Sequence, residues 1–247
     1  MVKIQVLSDL HMEMRDAVFD FPKKALYLIL AGDIGNPSSD IYQTFLWEQA
    51  DRFEKVFVVS GNHEYYGRTL EETDEIINNI CKQRENLIYL NQTAYDLDDD
   101  YVVLGTTLRS EMADEQRPDI SYFLADMHFI KNWSFEKNNW QHTKEKAWPK
   151  SAIKDVEKRE KLAIVVTHHN PSFRGTVAPK YEGNSLSTAF CTNLEDIMKL
   201  PVVCWNFGHT HFSCDHMFNG ECRLVSNQLG NPEEKTGFNT EFCIELD

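Results

Sequence analysis

The 247-residue chain has no apolar run near the roughly 18 or more residues needed to cross a membrane. Its start, Met1-Val2-Lys3-Ile4-Gln5-Val6-Leu7, reads as a strand and lacks the charged beginning, long apolar centre and small-residue cleavage site of a signal peptide. The expectation is a cytoplasmic protein. Its six cysteines stand at 81, 191, 204, 214, 222 and 243 with no CxxC pair. Six is even and so compatible with disulfides, but a large cytosolic domain needs none, and buried free thiols are expected. Only 11 glycines and 8 prolines are present, which argues against a fibrous or disordered chain. A basic stripe is also missing. The formal net charge of −14 repels nucleic-acid backbones at long range, so binding to long DNA or RNA is disfavoured. A phosphate substrate is still allowed, because bound divalent cations reverse the local sign.

Hydrophobic residues make up 42%, enough for the core of one large domain spanning 1–247. Val2–Leu7, Leu26–Ala31, Val56–Val59, Leu162–Thr167 and Val202–Phe207 are apolar on successive positions, as in strands covered on both faces. The segment from Ser39 to Phe53 has helical spacing, and Thr69-Leu70-Glu71-Glu72 predicts a capping box opening a second helix. Alternating strands and helices indicate an α/β protein. Asp96–Asp100 predicts a hairpin tip before a strand at Tyr101–Gly105. Residues 106–161 break the pattern and are expected to form an insertion that walls the substrate site. Its tryptophans at 133, 140 and 148 are expected to pack rather than to form a base-stacking platform. The mixed-charge run Lys144–Lys161 is expected to be a solvated helix face.

Five short patches follow the apolar runs: Ser8-Asp9-Leu10-His11, Gly32-Asp33, Gly61-Asn62-His63-Glu64, Thr167-His168-His169 and Gly208-His209-Thr210-His211. Asp, Asn and neutral His are the oxygen and nitrogen donors that suit Mn, Fe and Zn. Asp9 and His11, like His209 and His211, are two residues apart, so in extended chain each pair projects to one side. Gly32, Gly61 and Gly208 suit a chain that turns sharply or approaches the site closely. Seven donors result: Asp9, His11, Asp33, Asn62, His168, His209 and His211, with Asp33 able to serve twice. Two metals with about four protein ligands each would keep positions open for water and substrate. Either ring of the His168–His169 pair could reach a metal. His168, nearer the strand end, is preferred, with His169 facing substrate or supporting a ligand.

The order DxH, GD, GNH[DE], H, GHxH resembles the calcineurin-like metallophosphoesterases from Asp9 to His211, and more loosely their small bacterial and phage members. The resemblance implies a four-layer αββα sandwich of two mixed sheets, with a dinuclear metal site on loops at the strand ends. Position by position it implies one metal held by Asp9, His11, His211 and Asp33. A second would be held by Asp33, Asn62, His168 and His209. His63 would be the non-ligand histidine that contacts phosphate and protonates the leaving oxygen, and Glu64 an orienting carboxylate. Mn²⁺ is the expected metal, with Fe, Zn, Ni or Co as alternatives. The expected reaction is hydrolysis of a phosphomonoester or phosphodiester by in-line attack of a metal-bridging hydroxide.

The expected substrate is a small phosphoester or a nucleotide. No membrane-facing amphipathic helix suggests a lipid. Arg109, Arg174 and Arg223 are candidate phosphate contacts, and His128 and His142 are expected elsewhere in the core or surface. The alternatives are a nuclease, a protein phosphatase, or a scaffold of the same fold that binds protein partners.

Overall fold

The computed structural model describes residues 1–15 and 17–247. In chain order, β1 (Val2–Leu7), β2 (Tyr27–Ala31), α1 (Asp40–Arg52), β3 (Lys55–Val59), α2 (Leu70–Cys81) and β4 (Leu87–Tyr89) build the first half. The second half begins with the hairpin β5 (Thr93–Asp96) and β6 (Tyr101–Thr106), whose tip is the acidic turn. It continues through α3 (Arg117–Phe123), α4 (Asp126–Phe129), α5 (Phe135–Lys158), β7 (Leu162–Thr167), β8 (Val202–Phe207), β9 (Cys214–Phe218) and β10 (Cys222–Ser226). The last strand, β11 (Cys243–Leu246), returns to the first sheet and pairs antiparallel with β1.

One sheet runs β11-β1-β2-β3-β4, parallel except at β11. The other runs β5-β6-β7-β8-β10-β9, with a parallel centre and antiparallel pairs at both edges. Strand alternation builds the layers. Along β2, Leu28 and Leu30 face α1 and α2, where they meet Tyr42, Phe45, Leu46, Ile77 and Ile80. The intervening Ile29 and Ala31 face the other sheet and pack with Val103, Ile164, Val166 and Val225. On the far side Val102, Leu104 and Val165 pack against Ile153 and Val156 of α5. The result is the expected four-layer αββα sandwich. Double coverage is why these strands are apolar at every position.

The helix starts follow local chemistry. The Ser39 hydroxyl accepts from the Tyr42 amide, and Thr69 and Glu72 complete a reciprocal capping box. All six cysteines are free. Among the described residues, no helix is long and apolar enough to cross a membrane. Much of 106–161 forms α5, which lies against β6 and β7 as an outer layer. Trp148 packs there, Trp133 lies under the Arg109 guanidinium, and Trp140 is exposed with the Lys144 ammonium over its ring.

Candidate metal centre

The five patches are the loops at the ends of β1, β2, β3, β7 and β8, and all five meet at one edge of the sandwich. Backbone hydrogen bonds tie the loops to one another. Asp9 and His11 amides donate to the Gly32 and Asp33 carbonyls, and the Gly208 amide donates to the His168 carbonyl. Gly61 and Gly208 are required by close approach. A Cβ at Gly61 would stand 2.1 Å from Asp33 Oδ1, and one at Gly208 would stand 2.6 Å from Asp9 Oδ2. Five donors sit in the left-handed region: Asp9 (φ 53°), His11 (45°), Asp33 (53°), His209 (79°) and His211 (49°). Such backbone is costly for non-glycine residues and concentrates at functional sites.

The side chains fall into two facing groups. In one, Asp9, His11 and His211 bring donor atoms within 4.8 Å of one another; in the other, Asp33, His168 and His209 do the same. Asp33 Oδ2 lies between them, 3.3 Å from His168 Nε2 and 3.9 Å from His11 Nε2. Asn62 Oδ1 is 3.1 Å from His168 Nε2.

The outward nitrogens of these histidines are already engaged. His11 Nδ1 faces Glu13 Oε1 at 3.1 Å, His211 Nδ1 faces Glu234 Oε2, and His168 Nδ1 faces the Ala31 carbonyl at 2.9 Å. Those acceptors assign the proton to each Nδ1, so each Nε2 of a neutral ring presents a bare lone pair. His11 Nε2 and His211 Nε2 then face each other at 3.0 Å, and His168 Nε2 faces two oxygen acceptors. Acceptor against acceptor is repulsive unless a cation lies between. Asp9 Oδ2 and His209 Nε2 are buried without a hydrogen-bond partner among the described residues. Buried polar atoms are rarely left so. The donor set therefore fits divalent metal ions, and its mix of N and O without thiolate suits Mn, Fe, Co or Zn.

Without a cation, protons take its place. Burial opposes charge on His168, but the adjacent Asp33 carboxylate prevails and raises it to about 9. His63 follows the same pattern: burial lowers it, while Asp33 and Glu13 raise it to about 9. Its Nδ1 is 3.0 Å from Glu13 Oε1, and its backbone amide donates to Asp33 Oδ1 at 2.8 Å. Glu64 is fully buried and accepts from the amides of Asp33, Ile34, Gly35 and Gly61, clamping the β2 and β3 loops together.

The structure separates the His168–His169 pair. His168 joins Asp33 and Asn62. His169 turns its Nδ1 to the Ser110 hydroxyl and stacks on His209 with centroids 4.0 Å apart. Burial and the neighbouring His209 and His168 hold His169 neutral, well below the usual histidine range.

The arginine candidates lie apart from the donor groups. Arg109 is buried, paired with Glu145 and placed over the Tyr65 ring. It braces the loop whose Thr107 carbonyl accepts from the His168 and His169 amides. Arg174 is paired with Glu195, and Arg223 with Asp215. His128 bonds the Tyr122 carbonyl and His142 the Arg109 carbonyl.

Three further carboxylates, Glu13, Asp126 and Glu234, stand at the site. The chain there is not extended as the spacing of Asp9 and His11 implies: both are left-handed and Glu13 lies in a 3₁₀ turn, so tertiary contacts rather than alternation bring these side chains together. Asp126 and Glu234 are distant in sequence and carry no local signal.

A cavity of about 590 Å³ opens beside His209 and His211. Its described lining comes from 170–191, 209–212 and 234–236. Residues of 106–161 line a second cavity, which shares Phe173 and Cys191 with the first, and reach the donors through Asp126, which accepts from Asn62.

Fold and site together define the class, an α/β sandwich protein with a metallophosphoesterase-type donor cluster. The chain belongs to the calcineurin-like phosphoesterase family, whose sequence profile matches residues 2–213. It is 31% identical to uncharacterized protein L509 of Acanthamoeba polyphaga mimivirus, over 99% of this chain and 96% of that protein. The fold is shared with phosphopantetheinyl hydrolase of Mycobacterium tuberculosis, at a TM-score of 0.72 and 16% identity over 93% of this chain and 90% of the other. It is also shared with a dimetal phosphatase of Danio rerio, at a TM-score of 0.53 and 12% identity over 92% and 87% of the two chains.

Proposed function

We propose that the chain is a phosphoesterase dependent on two divalent metal ions, hydrolysing a small phosphomonoester or phosphodiester. The carrying observation is the single oxygen Asp33 Oδ2, standing between a His11 group and a His168 group whose Nε2 atoms face other acceptors. Asp9, His11, His211 and Asp33 would hold one ion, and Asp33, Asn62, His168 and His209 the other. Two such ions would neutralise the phosphate and acidify a water to supply the attacking hydroxide.

The remaining chemistry belongs to the chain. Glu13 holds Nδ1 of His63, leaving Nε2 for substrate. With Nδ1 held by Glu13, a protonated His63 would bind a phosphate oxygen and donate its proton to the leaving alkoxide. Glu64 keeps Asp33 and Asn62 at their separation by holding the amides of both loops. His169 remains neutral beside His209 and adds no competing charge.

A small phosphoester or nucleotide is favoured over long nucleic acid by the net charge of −14. Free thiols support a cytoplasmic setting. We read 1–247 as one domain, since both sheets share one core. A protein-binding scaffold has less support, because none of the seven donors is missing. The deciding experiment is turnover of p-nitrophenyl phosphate and its bis ester. EDTA should abolish it and Mn²⁺ restore it, and indifference to both would refute the proposal.

A further inference from the structure

Four histidines would hold the two ions, and three of them are fixed by a hydrogen bond at the outer nitrogen. Glu13 holds His11, the Ala31 carbonyl holds His168 and Glu234 holds His211. His209 has no such bond among the described residues, and its buried Nε2 has no partner. Rings stand where an acceptor would. His169 stacks on His209 with centroids 4.0 Å and planes 26° apart, and Phe190 does so at 4.6 Å and 27°. Non-bonded carbons keep about 3.5 Å apart, so two near-parallel rings at these distances cannot share one face of an imidazole. They cover opposite faces. The His209 backbone is fixed separately, since its amide donates to Asp9 Oδ1 at 2.9 Å. What remains is rotation of the ring about its Cβ–Cγ bond, a torsion that is soft in histidine. Between two rings that rotation is blocked, because it drives the imidazole edges into both neighbours.

The two covering rings form a built unit. Asn170, next in chain to His169, gives its amide to the Phe190 carbonyl and bridges to Cys191. His169 Nδ1 lies 2.9 Å from the Ser110 hydroxyl, and the Ser110 carbonyl accepts from Asn138 Nδ2 of α5 at 2.8 Å. Phe190 packs on the small apolar cluster of Met112, Ile120, Leu124 and Phe135. Both rings are therefore mounted on 106–161. The same segment orients Asn62 through Asp126 and accepts the His168 amide at the Thr107 carbonyl. Glu13 and Glu234, which hold His11 and His211, lie outside it.

We infer that His169 and Phe190 are positioning residues. Their rings clamp His209 for the ion it shares with Asp33, Asn62 and His168, and 106–161 is the support of that ion and not of the other. This role rests on the two-metal reading for the ion, and on the rings alone for the clamp.

The first test is Mn²⁺ affinity at both sites, by competition with a calibrated chelator, in ring-removing and ring-keeping variants. His169→Ala and Phe190→Leu should each weaken one ion about 10-fold, the lower end of what partners of metal ligands contribute, and leave the other unchanged. The unchanged ion shows that the variant is folded. His169→Phe and Phe190→Tyr keep a flat ring and should hold both ions as wild type does. If His169→Phe loses the ion as badly as His169→Ala, the His169 nitrogens and not its faces matter, and the clamp is overturned. Wild-type affinity in Phe190→Leu overturns it as well. Where one ring-removing variant does not fold, the other decides together with His169→Phe.

The second test needs no metal. In the metal-free chain labelled at histidine, the His209 ring resonance is assigned by its absence from His209→Gln. Ring currents from both neighbours should displace it. His169→Ala and Phe190→Leu should each return it part of the way to the ordinary histidine position, and the ring-keeping variants should not. A resonance that moves in neither variant shows that the ring is not held between the two, and the clamp fails whatever the ions do. A wild-type chain that binds fewer than two ions defeats the two-metal reading, and the resonance then decides the clamp alone.

Discussion

The Asp126 carboxylate accepts a hydrogen bond from Asn62 Nδ2 at 2.8 Å, and so determines which end of that amide faces the metal donors. With Nδ2 held by Asp126, Oδ1 points to His168 Nε2. Tyr66 donates to the same carboxylate oxygen and locks the arrangement. Carboxylates in this supporting position are typically worth about 10–100-fold in metal affinity. Asp126→Ala should therefore weaken binding of one of two ions by about that factor, measured by competition with a calibrated chelator. Unchanged affinity for both ions would show that Asn62 needs no such support.

His63 and Asp33 should separate chemistry from metal binding. His63→Ala is expected to keep two ions per chain by elemental analysis while kcat falls about 10²–10⁴-fold, the usual range for a lost general acid. Asp33→Asn removes the shared carboxylate charge and should lower both turnover and metal content. Wild-type turnover in either metal-replete variant contradicts the assigned roles.

Glu64 should matter for stability before it matters for rate. Its buried carboxylate accepts from four backbone amides. In Glu64→Gln one oxygen becomes an NH₂ group facing N–H donors, which leaves buried amides unsatisfied. A loss of about 2–3 kcal/mol is expected in urea unfolding of the metal-free protein. A loss below about 0.5 kcal/mol would mean that the loops are held by other contacts.

The Arg109–Glu145 pair is buried on both sides, with side chains 4% and 2% exposed. Glu145→Ala strands the guanidinium between Tyr65 and Trp133 and should cost about 3–5 kcal/mol. Replacing both residues by apolar ones of similar volume should recover much of that loss in the same unfolding assay.

His142 should make stability depend on pH. Burial holds its ring below the usual 6.5, against the Arg109 carbonyl that its Nδ1 bonds. The unfolded chain therefore binds the proton more readily than the folded one. Stability contributed by the neutral ring is present above pH 6.5 and is lost as pH falls below it. His142→Gln keeps a donor to the carbonyl without a titrating charge, so its melting temperature should fall less than wild type between pH 8 and 5.5. Parallel falls would remove His142 as a source.

Much of the site was legible in the chain because strand-end chemistry is local. An apolar run says where a strand ends, and the next residues are then presented at the sheet edge whatever the rest of the fold does. Asp9, Asp33, Asn62, His168 and His209 could be read in this way. So could the capping box at Thr69 and the acidic turn at Asp96–Asp100, which need only their neighbours. Strands β9 to β11 were not read, since they are short, carry polar alternation and pair at or near sheet edges.

The sequence by itself determined which atoms could bind metal and the strand ends on which they stand. Tertiary structure decided how those atoms are oriented and what surrounds them. The choice of His168 over His169 depends on whether a ring faces Asp33 or Ser110, across loops of different sheets. Asp126 and Glu234 reach Asn62 and His211 from 64 and 23 residues away. The cavity wall combines the β7 and β8 connections with 234–236 from the β10–β11 connection, because β7, β8 and β10 lie side by side in the sheet. Donor identity is a property of one residue, whereas orientation depends on which loops the two packed sheets bring to a common edge.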